Sequence, residues 1–308
     1  MKRLLTSLMT SGFTMSKSTK LNILVAFPYF SQGIYRFLSE KDPSTFRLIV
    51  DSGAFTAWNT GREIRLDDYM KFLKSIPSHW DYKAVQLDVF GNPDGTYENY
   101  HRMLDAGFED IMPVFTRGDS LERLEEFYSH TDYIMFGGIV IGGENRNYVK
   151  WFCEVNKGRD AHWLGFVNVP FIKHYRPKSV DSSTLYNGQR FGTLQYYVGG
   201  ALLKGINRKE LRKPPPPAVI NSLTSAGFTM KEIALLAKQD SWEGGASPLR
   251  GGSSRGLAAF MTVTSHVRRA MDVEKNLGTR IYLALCGEPQ VQNVYDAMNL
   301  LTTRKEMR

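Results

Sequence analysis

Three aspartates each stop an apolar run: Asp51 in LIVDSGAF, Asp88 in AVQLDVF and Asp181 in KSVDSST. A β-branched run that ends on a carboxylate is how a buried parallel strand hands a reactive group to one end of an α/β barrel. There the strand C-termini converge on a shared pocket. Three carboxylates in one pocket point to acid, base or nucleophile chemistry on a polar substrate. The same residue at a strand end also serves as a helix N-cap or turn residue, so the elements around each aspartate matter.

Seven apolar runs recur at Ile23–Phe27, Leu48–Val50, Ala84–Val89, Ile111–Phe115, Tyr133–Val140, Trp163–Val167 and Ser179–Asp181. Helical patterns fill most of the intervals. Leu66, Tyr69, Met70, Phe72 and Leu73 follow helical spacing, and Thr96–Ala106 and Leu121–Tyr128 read the same way. Strand and helix alternating in this manner predict a parallel sheet. Seven strands nearly fill a (β/α)8 TIM-like barrel. For the eighth there are two candidates, Phe191–Val198 and Arg280–Cys286. The second is followed by a helical pattern from about Pro289 to Leu301. It is the better closing strand, placed between the first and last of the series in a permuted order. The expected organisation is a barrel core over 21–198, a basic, mainly helical insertion over 199–279, and a closing strand and helix over 280–308.

The chain has 308 residues, 42% of them hydrophobic, which is ample for one large core. Its net charge is +8, and such a balance favours a polyanionic partner, nucleic acid being the usual one. Only two cysteines occur, Cys153 and Cys286, too few for a disulfide framework or a Cys-rich zinc site. No apolar run approaches the roughly 20 residues that cross a bilayer, so no membrane partner is expected and the expected location is the cytoplasm.

The insertion carries the densest positive charge. Lys204, Arg208, Lys209, Arg212 and Lys213 cluster ahead of the stiff Pro214–Pro217 spacer. Thr229-Met230-Lys231-Glu232 matches a capping box before a short helix. The Gly-rich stretch 244–256 bears Arg250 and Arg255, and a longer helix near Leu257–Asn276 bears Arg268 and Arg269. These residues, with Lys173, His174 and Arg176 of FIKHYRPK, are the expected nucleic-acid contacts; a helical cap with solvated charges is the alternative. The run GFTM at Gly227–Met230 repeats one within Ser7–Met15 and fits the turn of a helix-turn-helix.

Four motifs in order resemble the tRNA-guanine (queuine) transglycosylases. Asp51-Ser52-Gly53-Ala54-Phe55 is similar to their DSGGF, and Gly137–Glu144 (GGIVIGGE) to their GGLAVGE loop with one extra glycine. Val180-Asp181-Ser182-Ser183 with Asn187-Gly188-Gln189 resembles the nucleophile segment and its downstream NGQ. DSGAFTAW and VDSST are closer still to the 7-deazaguanine DNA transglycosylases of bacteria and phages. The resemblance implies that guanine leaves its sugar and a 7-deazaguanine such as preQ0 replaces it. Asp181 would attack C1′ and form a glycosyl-enzyme intermediate. A carboxylate suits that step, because an anion stabilises oxocarbenium-like charge and two displacements restore the anomeric configuration. Asp51 would be the general acid/base, a role that favours a raised pKa. Asp88 would read the base, since a carboxylate accepts both N–H groups of a guanine-type edge and adenine lacks that pair. Gly138 and Ile139 would offer backbone groups to the 7-substituent, Glu144 would hold their loop, and Phe55 or Phe90 would stack on the purine.

The chain departs from the tRNA enzymes in two ways. It cannot build their zinc site, so no zinc is expected, the deazaguanine base being the co-substrate. The glutamine that reads guanine O6 has no counterpart, since the matching strand ends in Pro113-Val114-Phe115-Thr116. Double-stranded DNA is therefore the favoured partner, with tRNA second. A nucleoside hydrolase or deoxyribosyltransferase acting on free nucleosides would use the same aspartate chemistry.

Overall fold

A computed structural model describes residues 20–140, 143–186, 192–211, 215–237 and 254–306. The chain divides into two compact units. One comprises Asn22–Ser182 with Leu277–Cys286; the other draws on Ser183–Asn276 and Gly287–Arg308. The expected barrel boundary at 198 thus falls at Ser182. The helix after the last strand groups with the second unit.

The first unit is a TIM-like α/β barrel. Its strands are β1 (Leu21–Ala26), β2 (Phe46–Asp51), β3 (Tyr82–Val85), β4 (Ile111–Met112), β5 (Val114–Phe115), β6 (Ile134–Phe136), β7 (Ala161–Trp163) and β8 (Ser179–Ser182). After β9 (Thr193–Gly199) and β10 (Leu202–Asn207), which belong to the second unit, comes β11 (Arg280–Leu285), and the sheet order is β4-β3-β2-β1-β11-β8-β7-β6-β5. The two ends of that order, β4 and β5, are halves of the single run Ile111–Phe115, broken at Pro113. Proline has no N–H to give a ladder. Its carbonyl accepts from Met135 N at 2.8 Å, and buried Gln86 repairs the break by accepting from Val114 N at 3.0 Å. One run therefore pairs with β3 through its first half and β6 through its second, and the sheet returns on itself. As expected from the sequence, β11 lies between the first and last strands, in parallel register with β1 (Leu24↔Ala284) and β8 (Tyr282↔Asp181).

Alternation along each strand separates an inner from an outer face. Leu24, Ile49, Val85, Met112, Val114, Tyr133, Met135 and Tyr282 form one buried cluster filling the barrel. Outward residues meet helices, as where Phe136 stacks on Phe152 at 3.7 Å. The helices that follow the strands are α1 (Gln32–Ser39), α2 (Ala54–Thr60), α3 (Leu66–Leu73), α4 (Pro93–Asp105), α5 (Leu121–His130), α6 (Arg146–Asn156) and α7 (Val169–Tyr175). Several begin on a side-chain cap: Ser31, Asn92, Ser120, Asn145 and Asn168 each accept from a backbone N–H of the first turn.

The second unit holds the antiparallel hairpin β9 (Thr193–Gly199) and β10 (Leu202–Asn207), with α8 (Pro217–Ala226), α9 (Met230–Ala237), α10 (Ser254–Leu277) and α11 (Glu288–Glu306). The segment Phe191–Val198, one candidate for the eighth barrel strand, instead belongs largely to this hairpin. The capping box forms as the sequence predicts: Thr229 N donates to Glu232 Oε2 at 2.7 Å and Glu232 N donates to Thr229 Oγ1 at 3.2 Å. Gly227 ends α8 in the left-handed region (φ 115°), so α8 and α9 are joined by a three-residue turn, Gly227–Thr229. Among the described residues no helix is long and apolar enough to cross a membrane.

Candidate active site

Asp51 is the last residue of β2, two positions beyond the inward-facing Ile49. The chain then turns through Gly53, whose φ of +83° suits glycine, and Gly53 N donates to Asp51 Oδ2 at 2.9 Å. A Cβ at Gly53 would lie 2.4 Å from Pro28 Cδ. The middle residue of this turn, Ser52, is fully buried, and its hydroxyl donates to Asp88 Oδ1 at 2.9 Å. Asp88 stands on the loop after β3. Thr96 accepts from Val89 N at 2.8 Å and Asn99 Nδ2 donates to Leu87 O at 3.1 Å, which fixes that loop to α4. Tyr69 of α3 donates to Val85 O at 2.7 Å, beside the same strand ends.

Asp181 lies on the inner face of β8, two residues after Ser179. Its Oδ1 accepts from Gly165 N at 2.6 Å and faces His162 Nε2 at 3.2 Å. Gly165 is in the left-handed region (φ +68°), which aims its N–H at the carboxylate.

The carboxylates share one electrostatic neighbourhood. Burial raises Asp51 to about 7; the Asp88 charge adds to this, the Gly53 N–H opposes it, and the Asp181 charge adds further. Burial also raises Asp88, against the Ser52 hydrogen bond. Asp181 is only 7% exposed, whereas Asp51 and Asp88 keep partial solvent access. A carboxyl raised this far lies near neutrality instead of in the ordinary carboxylate range.

An aromatic rim borders the strand ends that carry Asp51 and Asp88. Phe55 and Trp58 of α2 are 52% and 56% exposed. Phe90 packs on Trp58 at 4.2 Å and on Phe55 at 5.8 Å. Trp58 has the more exposed ring, although the sequence motif directs attention to Phe55. No protein-family model matches the chain, and no curated protein matches it.

Across the barrel end, Gly138 follows β6 with φ +73°, and a Cβ there would meet Thr116 Oγ1 at 3.1 Å. Arg117 stacks over Tyr148 and donates to Gly138 O at 3.2 Å, while Asn145 N donates to the carbonyl of buried Ile139 at 3.0 Å. These contacts hold the Gly138–Ile139 backbone. Glu144, expected to hold this loop, is exposed, and its carboxylate accepts from Asn168 Nδ2 at 3.2 Å and Arg146 Nη2 at 3.3 Å.

The expected nucleic-acid contacts separate into groups. Lys173, His174 and Arg176 are exposed, but they sit at the end of α7, where the chain enters β8. That is the N-terminal end of the strands, opposite the carboxylates. Arg268 and Arg269 are half-buried, and guanidinium nitrogens of both are used inside the second unit. Arg269 Nε donates to Ala201 O at 2.9 Å; Arg268 Nη1 donates to Ser225 Oγ at 2.7 Å and its guanidinium covers Tyr197 at 5.2 Å. His266 beside them is lowered to about 3 by burial and by the Arg269 charge, and it pairs with Gln195 at 2.7 Å. Lys204 and Lys209 are exposed, and Arg208 is half-buried. Arg212, Arg250, Asn187-Gly188-Gln189, Ser7–Met15 and most of the Gly-rich stretch 244–256 lie outside the described residues, as does the Arg255 side chain.

Among the described residues no group of three or more His, Cys, Asp or Glu could hold a metal ion. A depression lined by Glu125, Tyr128, Arg159 and Asp160 lies at the N-terminal end of the strands. There Arg159 forks onto Glu125 at 2.7 and 2.8 Å, so its polar groups already satisfy one another.

Proposed function

We propose that the chain is a transglycosylase of the tRNA-guanine transglycosylase kind, closest to the 7-deazaguanine DNA transglycosylases. It exchanges guanine in DNA for a 7-deazaguanine such as preQ0. The observation that carries this reading is the placement of Asp51, Asp88 and Asp181 together at the C-terminal ends of parallel barrel strands, where Ser52 ties Asp88 to the Asp51 turn and burial, with the charges of the other two, raises Asp51 to about 7.

Asp181 attacks C1′ while protonated Asp51 gives its proton to the departing guanine. The incoming base then surrenders its N9 proton to ionised Asp51 and displaces Asp181, restoring the starting configuration. Asp88, held by Ser52, accepts the N1/N2 donors of the base, and the Phe55–Trp58–Phe90 rim stacks on exposed rings. Acting on a base in a duplex means taking it out of the stack, at a few kcal/mol. Phosphate contacts offset that cost, and exposed Lys204 and Lys209 suit them.

Incubation of duplex DNA, or of tRNA, with the protein and a panel of 7-deazaguanines, followed by mass spectrometry of the released nucleosides, tests the reading. Deazaguanine is expected in DNA with the wild type and in neither polymer with Asp181→Ala. Incorporation into tRNA alone would move the substrate to tRNA. Failure of every base on both polymers would remove the activity.

A further inference from the structure

A file of polar side chains runs through the barrel's otherwise apolar interior. The Tyr133 hydroxyl meets Ser179 Oγ, Ser179 Oγ meets His162 Nδ1, and His162 Nε2 faces Asp181 Oδ1 at 3.2 Å. His162 and Ser179 are fully buried, and the Tyr282 ring closes edge-on against the imidazole at 5.8 Å. A buried polar file in an apolar core is costly unless each member is satisfied. Proton positions follow from the Asp181 end. The carboxylate that a nucleophilic Asp181 presents has no proton to give, so the nitrogen that faces it, His162 Nε2, is the donor. Nδ1 is then left to accept from Ser179 Oγ, and Ser179 Oγ to accept from the Tyr133 hydroxyl.

Two donors, Gly165 N–H and His162 Nε2–H, therefore converge on Oδ1 of Asp181. We infer that His162 is a positioning residue for the nucleophile: it reserves Oδ1 as the hydrogen-bonded oxygen, leaves Oδ2 to attack, and helps the carboxylate to leave again. This inference rests on the transglycosylase reading. In the first displacement an Oδ2 lone pair forms the bond to C1′, the C1′–N9 bond breaks, and its electron pair goes to the base, which takes the Asp51 proton. Oδ1 becomes the ester carbonyl. In the second, N9 of the incoming base gives its proton to Asp51 and bonds to C1′, and the C1′–Oδ2 pair returns to the carboxylate. A donor on Oδ1 stabilises the free carboxylate more than the neutral ester. It therefore restrains formation slightly and favours resolution.

The test compares His162→Leu with His162→Gln, whose amide N–H reaches toward the position of Nε2, in single-turnover reactions on duplex DNA read on denaturing gels. His162→Leu is expected to slow resolution and raise the covalent fraction, each about tenfold, with the Gln variant restoring both toward wild type. An unchanged covalent fraction and resolution rate in the Leu variant overturns the inference, as does a Gln variant no better than Leu. A second measurement does not depend on turnover. Of six histidines, the ¹⁵N imidazole signal that vanishes in His162→Gln should report an Nε2–H tautomer and shift in Asp181→Asn. An Nδ1–H tautomer, or indifference to Asp181→Asn, overturns the positioning role. Absence of any wild-type adduct or exchange on both DNA and tRNA condemns the transglycosylase reading instead, while the ¹⁵N signal still decides the His162–Asp181 pair.

Discussion

Ser52 follows Asp51 in the chain, yet its hydroxyl belongs to Asp88, donating to Oδ1 at 2.9 Å, while the next residue, Gly53, gives its N–H to Asp51 Oδ2 at 2.9 Å. One short turn thus orients two carboxylates with different proposed tasks. The hydrogen bond stabilises ionised Asp88 against the burial that raises it. Ser52→Ala should raise Asp88 further and leave less of the ionised form that accepts the base's N–H pair. We expect the KM for the deazaguanine to rise about tenfold with a smaller change in kcat, and stability to fall by about 1 kcal/mol. Equal losses in kcat and kcat/KM, with KM unmoved, would assign Ser52 to the chemical step instead.

The raised Asp51 has a consequence for stability with a definite sign. In the folded protein this carboxyl binds its proton up to about 7, against an ordinary value of 3.8. The folded state therefore holds the extra proton between those values, and the associated stability is present at low pH and lost as pH rises through that window. Asp51→Asn keeps an oxygen acceptor for Gly53 N and removes the charge. It should abolish exchange yet raise stability at pH 8 by an amount on the order of 1 kcal/mol, with the gain shrinking toward pH 5. Melting temperatures of the two proteins across that range check this, and a variant less stable than wild type at pH 8 would contradict it.

Gly53→Ala probes the turn itself. A Cβ there falls 2.4 Å from Pro28 Cδ, and φ is +83°. The left-handed backbone alone costs an L-residue roughly 1–2 kcal/mol, and the clash with a proline ring has little room to relax. Chemical denaturation should show a loss of more than about 2 kcal/mol, with exchange falling because Asp51 and Ser52 move together. Wild-type stability would mean that the turn adjusts without strain.

Why was the barrel legible from sequence and much of the site's wiring not? Each strand is a local apolar run, and RIYLALC at Arg280–Cys286 has no other parallel partner, which sets its place between β1 and β8. The run Tyr133–Val140 overstated its strand, because after Phe136 the paired glycines Gly137 and Gly138 turn into a loop. The three aspartates were visible as strand ends. Their partners were not, because Ser52–Asp88 and His162–Asp181 bridge separate strands, and a register slip of one residue would turn His162 to the outer face. Nothing local distinguishes a histidine inside AHWLGF from one packed outside. Charge misled for the opposite reason: Arg268 and Arg269 look like a surface pair, but Ala201 O, Ser222 O and Ser225 Oγ need donors and take them.

Among the described residues expected to contact nucleic acid in the basic insertion, Lys204 and Lys209 are exposed, on β10 and the turn after it. If they meet phosphates, each displaces condensed counterions from DNA, and log K against log salt steepens by about 0.9 per contact. Lys204→Ala with Lys209→Ala should weaken duplex binding at 50 mM salt and flatten the slope by about 2, equally for every DNA sequence, since phosphate contacts carry no base information. Arg269→Ala should behave differently. It strips a donor from Ala201 O and lowers stability, but it leaves the salt slope unchanged in whatever fraction stays folded. Filter binding at several salt concentrations, with folding followed by circular dichroism, separates the two. A wild-type slope in the double lysine variant would place the phosphate contacts elsewhere.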